Sequence, residues 1–261
     1  MIKLIASDMD GTLLDNKDRL PEDFFETAKR LKEKNIIFSA ASGRQYFNLL
    51  NKFSPIKDDI LFIAENGSYI VYKNEEQYSS TLDKKTIQSL LNVARQIKGC
   101  EIILCGKKSA YVEKNYSKFI SEVERYYLKY EIVETLNDVE DDILKFTICD
   151  FIDAAENSNN IITPLFGDKL QISVSGKIWL DIINKDINKG VAIKFLQQKF
   201  NIKPEETMVF GDYFNDIQML DSAYHSYAME NAPEEVKKHA RFITKSNTEN
   251  GVLEVIQQKI L

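Results

Sequence analysis

The 261-residue chain has only three cysteines and two histidines. Cys100, Cys105 and Cys149 are odd in number and no pair has C-x-x-C spacing, so they read as reduced thiols of a cytoplasmic protein. His225 and His239 are too few and too scattered for a zinc cluster and read as surface residues. No segment approaches the ~18 apolar residues of a membrane span. The apolar stretch after Lys3 breaks at Asp8, too soon for the core of a secretory signal, which takes about 7–15 residues. A net charge of −6 argues against broad nucleic-acid binding, which needs a basic face to displace counterions from phosphates. With 44% hydrophobic and 28% charged residues, the chain is ordinary globular material, long enough for one large domain or two smaller ones.

The first ~80 residues alternate between strand and helix signals. Ile2–Ser7, Ile36–Ala40 and Ile60–Ala64 read as strands, while Phe24, Ala28 and Leu31 share a helical face that starts near Pro21. Such alternation predicts parallel βαβ units. Asn66-Gly67 marks a turn before Tyr69–Tyr72. From about Thr81 to Asn184 the texture changes to short strand-like runs (Glu101–Leu104, Ala110–Val112, Leu144–Cys149, Gln171–Val174, Ile178–Ile183). Helix-like stretches at Lys84–Ile97, Ser117–Lys129 and Ala154–Phe166 separate them. β/α alternation then resumes with Val191–Phe200, Thr207–Phe210, Asp216–Leu220 and Tyr224–Met229. The reading is an α/β core (1–82 and 185–261) interrupted by an inserted α+β unit (83–184).

Four short motifs fall at strand ends or helix starts of that core. Asp8-Met9-Asp10-Gly11-Thr12 follows the first strand, where open α/β sheets bind ligands. At ordinary residue usage, D-x-D-G-T arises by chance in on the order of one chain in a few hundred. Ser42-Gly43-Arg44 follows the second strand and opens the next helix, a position that favours anions, although taken singly it serves equally as a helix cap. Asn188-Lys189-Gly190 precedes Val191–Phe200 and sets an ammonium at a helix start. A lone lysine of this kind is ordinarily solvated. Gly211-Asp212-Tyr213-Phe214-Asn215-Asp216 follows the strand Thr207–Phe210 and adds two acids and an amide.

In that order the four motifs resemble those of the haloacid dehalogenase superfamily, and the insert between the second and third is similar to the large cap of its Cof-type sugar phosphatases. Glu65-Asn66-Gly67 and Ser246-Asn247-Thr248-Glu249-Asn250-Gly251-Val252 also resemble recurrent segments of that subfamily. Glu230-Asn231-Ala232 departs from it by carrying a glutamate where relatives have glycine. The resemblance implies a Rossmann-like parallel sheet with helices on both faces and a cap that closes over the site and sets specificity. Lys107, Lys108, Tyr111 and Trp179 could serve there, although surface or core roles fit them as well.

The implied chemistry suits the residues. A carboxylate at Asp8 can attack phosphorus and form an aspartyl-phosphate, and Asp10 can protonate the leaving alcohol and then accept a proton from water. Asp8, the Asp10 carbonyl and Asp212 would supply oxygens to Mg²⁺, with Asp216 a further carboxylate ranked below Asp212. The resemblance puts Ser42, Gly43, Lys189 and Asn215 on the phosphate, together with the Met9–Thr12 loop (Met9, Gly11, Thr12). Arg44 could contact substrate or form a structural ion pair. The expected partner is a small phosphate ester, a sugar phosphate or related metabolite, with no nucleic acid or membrane; a monomer fits this reading. A phosphomutase would use the same Asp8 and Asp10, and a non-catalytic phosphate-binding module stands as an alternative from another class, as does, more remotely, a receiver-type signalling domain.

Overall fold

The computed structural model describes all 261 residues, which divide into two compact units. Met1–Tyr78 and Asn188–Leu261 form the first, and Ser79–Ile187 the second. Residues 79–82 and 185–187 therefore group with the insert.

The first unit is built on an eight-stranded sheet ordered Phe242–Thr244, His225–Met229, Thr207–Gly211, Leu4–Asp8, Ile37–Ala41, Leu61–Ala64, Tyr69–Tyr72, Glu75–Ser79. The first six strands are parallel, and Leu61–Ala64 pairs antiparallel with Tyr69–Tyr72 through the Glu65–Gly67 turn. Every residue of Leu4–Asp8 is buried, as befits a strand covered on both faces. Its side chains alternate between two apolar layers. Ile5 joins Phe24, Leu31, Phe38 and Val252 on one side; Leu4 and Ala6 join Ile193, Leu196, Val209 and Met219 on the other. The helices Phe24–Glu33 and Gly251–Lys259 cover the first face, and Lys189–Phe200 the second.

Strand order decides where the site falls. From Leu4–Asp8 the chain moves outward in one direction to Ile37–Ala41 and Leu61–Ala64, then returns after the insert to place Thr207–Gly211 on the opposite flank. That reversal opens a crevice at the carboxyl ends of Leu4–Asp8 and Thr207–Gly211.

The second unit has a six-stranded sheet, ordered Leu170–Gly176, Trp179–Asn184, Ile143–Asp150, Cys100–Gly106, Ala110–Val112, Tyr130–Ile132. Its pairings are antiparallel except the last. Of the residues singled out there on sequence, Trp179 is buried in an apolar cluster, Tyr111 donates to Asp141 at 3.1 Å, Lys107 pairs with Asp142 at 3.2 Å, and Lys108 is exposed. No helix is long and apolar enough to cross a membrane.

Two local readings change. The helix after Ile37–Ala41 begins at Tyr46 and not at Ser42, so Ser42 and Gly43 lie in the preceding loop. There the Ser42 hydroxyl accepts the Arg44 N–H at 3.1 Å, because a serine can bond its own backbone two residues on. Lys189, an ordinary surface lysine when taken alone, is fully buried as the first residue of its helix, which Asn188 caps by accepting the Val191 N–H at 3.0 Å.

Candidate active site

Asp8 closes its strand and remains only 6% exposed. The Lys189 ammonium donates to Asp8 Oδ1 and, at 2.7 Å, to Asp216 Oδ1. Asp216 is wholly buried, and its second oxygen accepts the N–H groups of Asp212 and Tyr213 at 3.0 and 3.1 Å. Asp216 thus pins the loop that presents Asp212, while Lys189 ties that loop to the first strand. Carboxylate oxygens of Asp8, Asp212 and Asp216 lie within 4.8 Å of one another.

The electrostatics are unbalanced. Burial, reinforced by Asp216 and Asp212 and opposed by Lys189, pushes the Asp8 carboxyl well above the usual range. Burial and Asp216 likewise hold Asp212 up at about 6, against the pull of the Thr12 hydrogen bond and Lys189. Burial would discharge Lys189, but Asp216 and Asp8 outweigh it and hold the ammonium charged. One ammonium cannot neutralise three carboxylates. A hard divalent cation, which prefers carboxylate oxygens, suits the surplus charge, so the donor set fits Mg²⁺.

The loop after Asp8 is fixed from several directions. Gly11 adopts φ +77°, and a Cβ there would lie 2.3 Å from Asp212 Oδ2, so both backbone and space call for glycine. The Thr12 hydroxyl, read on sequence as a phosphate contact, donates to Asp212 Oδ1 at 2.7 Å. Asn231 donates to the Gly11 carbonyl at 2.8 Å and accepts the Asn247 N–H at 3.1 Å. Asn247 in turn donates to the Leu14 carbonyl at 2.8 Å. Asn231 and Asn247, whose segments had suggested only kinship, therefore brace the loop after Asp8. The glutamate before Asn231 is exposed.

Asp10 is paired outside that group of three acids. Its carboxylate accepts a two-pronged contact from Arg44, through Nε at 2.9 Å and a second guanidinium nitrogen. Arg44 also donates to Asp18 at 2.7 Å, and Lys52 donates to Asp18 as well. Burial alone would lift Asp18 and discharge Arg44, but the pairing overcomes it: the Asp18 carboxyl is lowered and Arg44 stays charged. Of the two roles open to Arg44, the structure shows the ion pair.

Asn215 and Gly43 both meet the Glu65–Gly67 turn. Asn215 donates to Asn66 Oδ1 at 3.3 Å, and a Cβ on Gly43 would lie 3.0 Å from the Asn66 side chain. Glu65, Asn66 and Gly67 all have positive φ, and a Cβ on Gly67 would lie 2.6 Å from the Asn188 carbonyl. The turn therefore packs directly against the segment that launches Lys189. Asn66 entered the sequence reading only through its Asn-Gly turn signal and the resemblance of Glu65-Asn66-Gly67 to a recurrent Cof-type segment. The two histidines stay outside this constellation, His239 facing Asp221 at 3.2 Å.

Comparison with known proteins agrees with this architecture. Residues 5–256 match the family model of the haloacid dehalogenase-like hydrolases. The chain is 35% identical over 259 residues to the 5-amino-6-(5-phospho-D-ribitylamino)uracil phosphatase YbjI of Escherichia coli K12, covering 98% of this chain and 96% of that protein. Among solved structures, SMU.1108c from Streptococcus mutans UA159 aligns with a TM-score of 0.88 at 32% identity, over 99% of this chain and 98% of that one. TM0651 from Thermotoga maritima aligns with a TM-score of 0.90 at 25% identity, over 100% and 98%. With its four motifs gathered at one crevice, the chain belongs to the haloacid dehalogenase-like hydrolases.

Proposed function

We propose that the chain hydrolyses small phosphate monoesters with Mg²⁺, sugar phosphates or related metabolites among them, through an aspartyl-phosphate on Asp8. The observation that carries this reading is the Lys189 ammonium, buried and bonded to Asp8 and Asp216 at the sheet crevice. A carboxylate approaching a phosphate dianion faces like-charge repulsion, and a positive charge fixed against the nucleophile offsets it.

In the first half-reaction an Asp8 oxygen forms a bond to phosphorus while the ester P–O bond breaks. The departing alkoxide takes its proton from Asp10. In the second, water attacks phosphorus, its proton passes to Asp10, and the Asp8–phosphorus bond breaks to release inorganic phosphate. Each Asp10 oxygen accepts one Arg44 N–H in the structure, which leaves a lone pair on each for the proton. Mg²⁺ held by Asp8, Asp212 and the Asp10 carbonyl would supply charge neutralisation. Asp216 has both oxygens taken by Lys189 and two N–H groups, which favours it as the anchor of that set. Ser42, Gly43 and Asn215 are assigned to the phosphate oxygens, with Lys189 and the backbone of Met9–Thr12. The unit Ser79–Ile187 is assigned the choice of substrate.

The Asp8→Asn variant tests the nucleophile: Mg²⁺-dependent turnover of p-nitrophenyl phosphate should vanish, and retained turnover would overturn the assignment. Release of inorganic phosphate from sugar phosphates separates hydrolysis from a mutase, which would return isomerised ester. The ester that names the Escherichia coli relative, 5-amino-6-(5-phospho-D-ribitylamino)uracil, belongs in the same screen.

A further inference from the structure

Asp18 and Lys52 lie outside the four motifs, and the chemistry above gives them no part. Both reach the residue assigned to proton transfer. Arg44 Nε donates to Asp10 Oδ2 at 2.9 Å, and one terminal guanidinium nitrogen donates both to Asp10 Oδ1 and, at 2.7 Å, to Asp18 Oδ1. Asp18 Oδ2 in turn accepts from Lys52, whose ammonium also donates to the Asp18 carbonyl at 2.6 Å. Carboxylates and cations therefore alternate in the order Asp10, Arg44, Asp18, Lys52, and their charges balance.

The far end of this chain of contacts is fixed to the backbone. Lys52 is the last residue of the helix Tyr46–Lys52. Asp18 sits at φ +60°, which aspartate tolerates better than most residues. Its turn is closed by Asp15, which accepts the Lys17 and Arg19 N–H groups at 2.8 and 2.9 Å. The near end is loose by itself: the Asp10 side chain is 59% exposed, and Arg44 is long and flexible. Holding such side chains in one geometry costs rotamer entropy. Exposed ion pairs contribute little singly and more as a network of several charges. We propose that Asp18 and Lys52 are positioning residues that, through Arg44, hold the Asp10 carboxylate in the orientation that serves the departing alcohol and the attacking water. The proposal rests on the phosphatase reading and adds to it two residues that no motif contains.

The leaving group separates positioning from support of the fold. p-Nitrophenolate departs without a proton, whereas the alkoxides of glucose 6-phosphate and ribose 5-phosphate need one from Asp10. Because kcat/KM covers the steps up to that departure, its ratio between aryl and sugar esters isolates the proton transfer. Asp18→Asn keeps a residue suited to the turn and removes the charge. In it the aryl-to-sugar ratio should rise about tenfold, part of the roughly 10²–10⁴-fold that a general acid is worth. Lys52→Met should raise the ratio in the same sense, and Lys52→Arg should leave it near the unaltered value.

The double variant Asp18→Asn/Lys52→Met should do no more than the larger single change, because both residues act through one contact. Equal loss on aryl and sugar esters, an unmoved ratio, or single effects that multiply in the double variant would overturn the role. The two readings fail differently. With no phosphate released from any of the three esters by the unaltered protein, the phosphatase falls and the positioning role falls with it. Hydrolysis of aryl and sugar esters with a ratio that neither Asp18→Asn nor Lys52→Met moves keeps the phosphatase and removes the role.

Discussion

The Thr12 hydroxyl donates to Asp212 Oδ1 at 2.7 Å, joining the loop after Asp8 to the acid loop across 200 residues of sequence. Groups that orient a metal ligand without touching the metal commonly matter about 10–100-fold in affinity or activity. Thr12→Val keeps the shape and removes the donor. Its Mg²⁺ requirement, read from turnover against metal concentration, should rise by about that factor, while Thr12→Ser should stay near the unaltered protein. An unchanged requirement in the valine variant would deny Thr12 this part.

Lys189 is the cation against which Asp8 and Asp216 are buried. Removing one partner of a buried ionic cluster leaves charge uncompensated and costs about 3–5 kcal/mol. Lys189→Met in chelator should therefore lose stability of that order in urea unfolding. Adding Asp8→Asn and Asp216→Asn to the same protein should recover much of it, since the charges go too. A loss confined to the roughly 0.5 kcal/mol of a surface substitution would contradict the cluster.

The raised carboxyls give a signed pH dependence. In the unfolded chain Asp212 titrates near 3.8, and in the folded chain at about 6, so between those values the folded state binds more protons. The stability this group contributes is full below pH 3.8 and is lost as pH rises through about 6. Asp8, also raised, acts in the same direction. Without metal, the unaltered protein should lose stability relative to Asp212→Asn as pH rises through that window, and saturating Mg²⁺ should reduce or reverse the difference. Paired unfolding curves at the two ends of the window decide it; a difference independent of pH would refute the assignment.

The strand ends carrying Asp8 and Asp212 were legible in sequence because each follows a short apolar run, and the parallel pairing of the central strands follows from βα alternation. Several edge elements left weaker traces. Glu75–Ser79 is a strand of mostly polar residues, and Phe242–Thr244 is only three residues long, too short for periodicity to register. Lys189 illustrates the limit of residue statistics: lysines are almost always solvated, and only the carboxylates of Asp8 and Asp216, distant in sequence, make its burial tolerable. Asn231 and Asn247 left no chemical signal, since their function is to meet main-chain groups brought close by folding. For Arg44 an ion pair was legible but not its partners, Asp10 and Asp18, which lie 34 and 26 residues away.

Leu4–Asp8 lies between Ile37–Ala41 and Thr207–Gly211. As the chain emerges from the ribosome, its first strand gains one neighbour early and waits for the other through more than half the length of the protein. During that interval an apolar edge with unpaired N–H and C=O groups stands open, the kind of surface that invites intermolecular pairing. The strand that ends in Asp8 thus keeps one edge open until Thr207–Gly211 has been made, and Asp8 meets Lys189 only after the insert has been made.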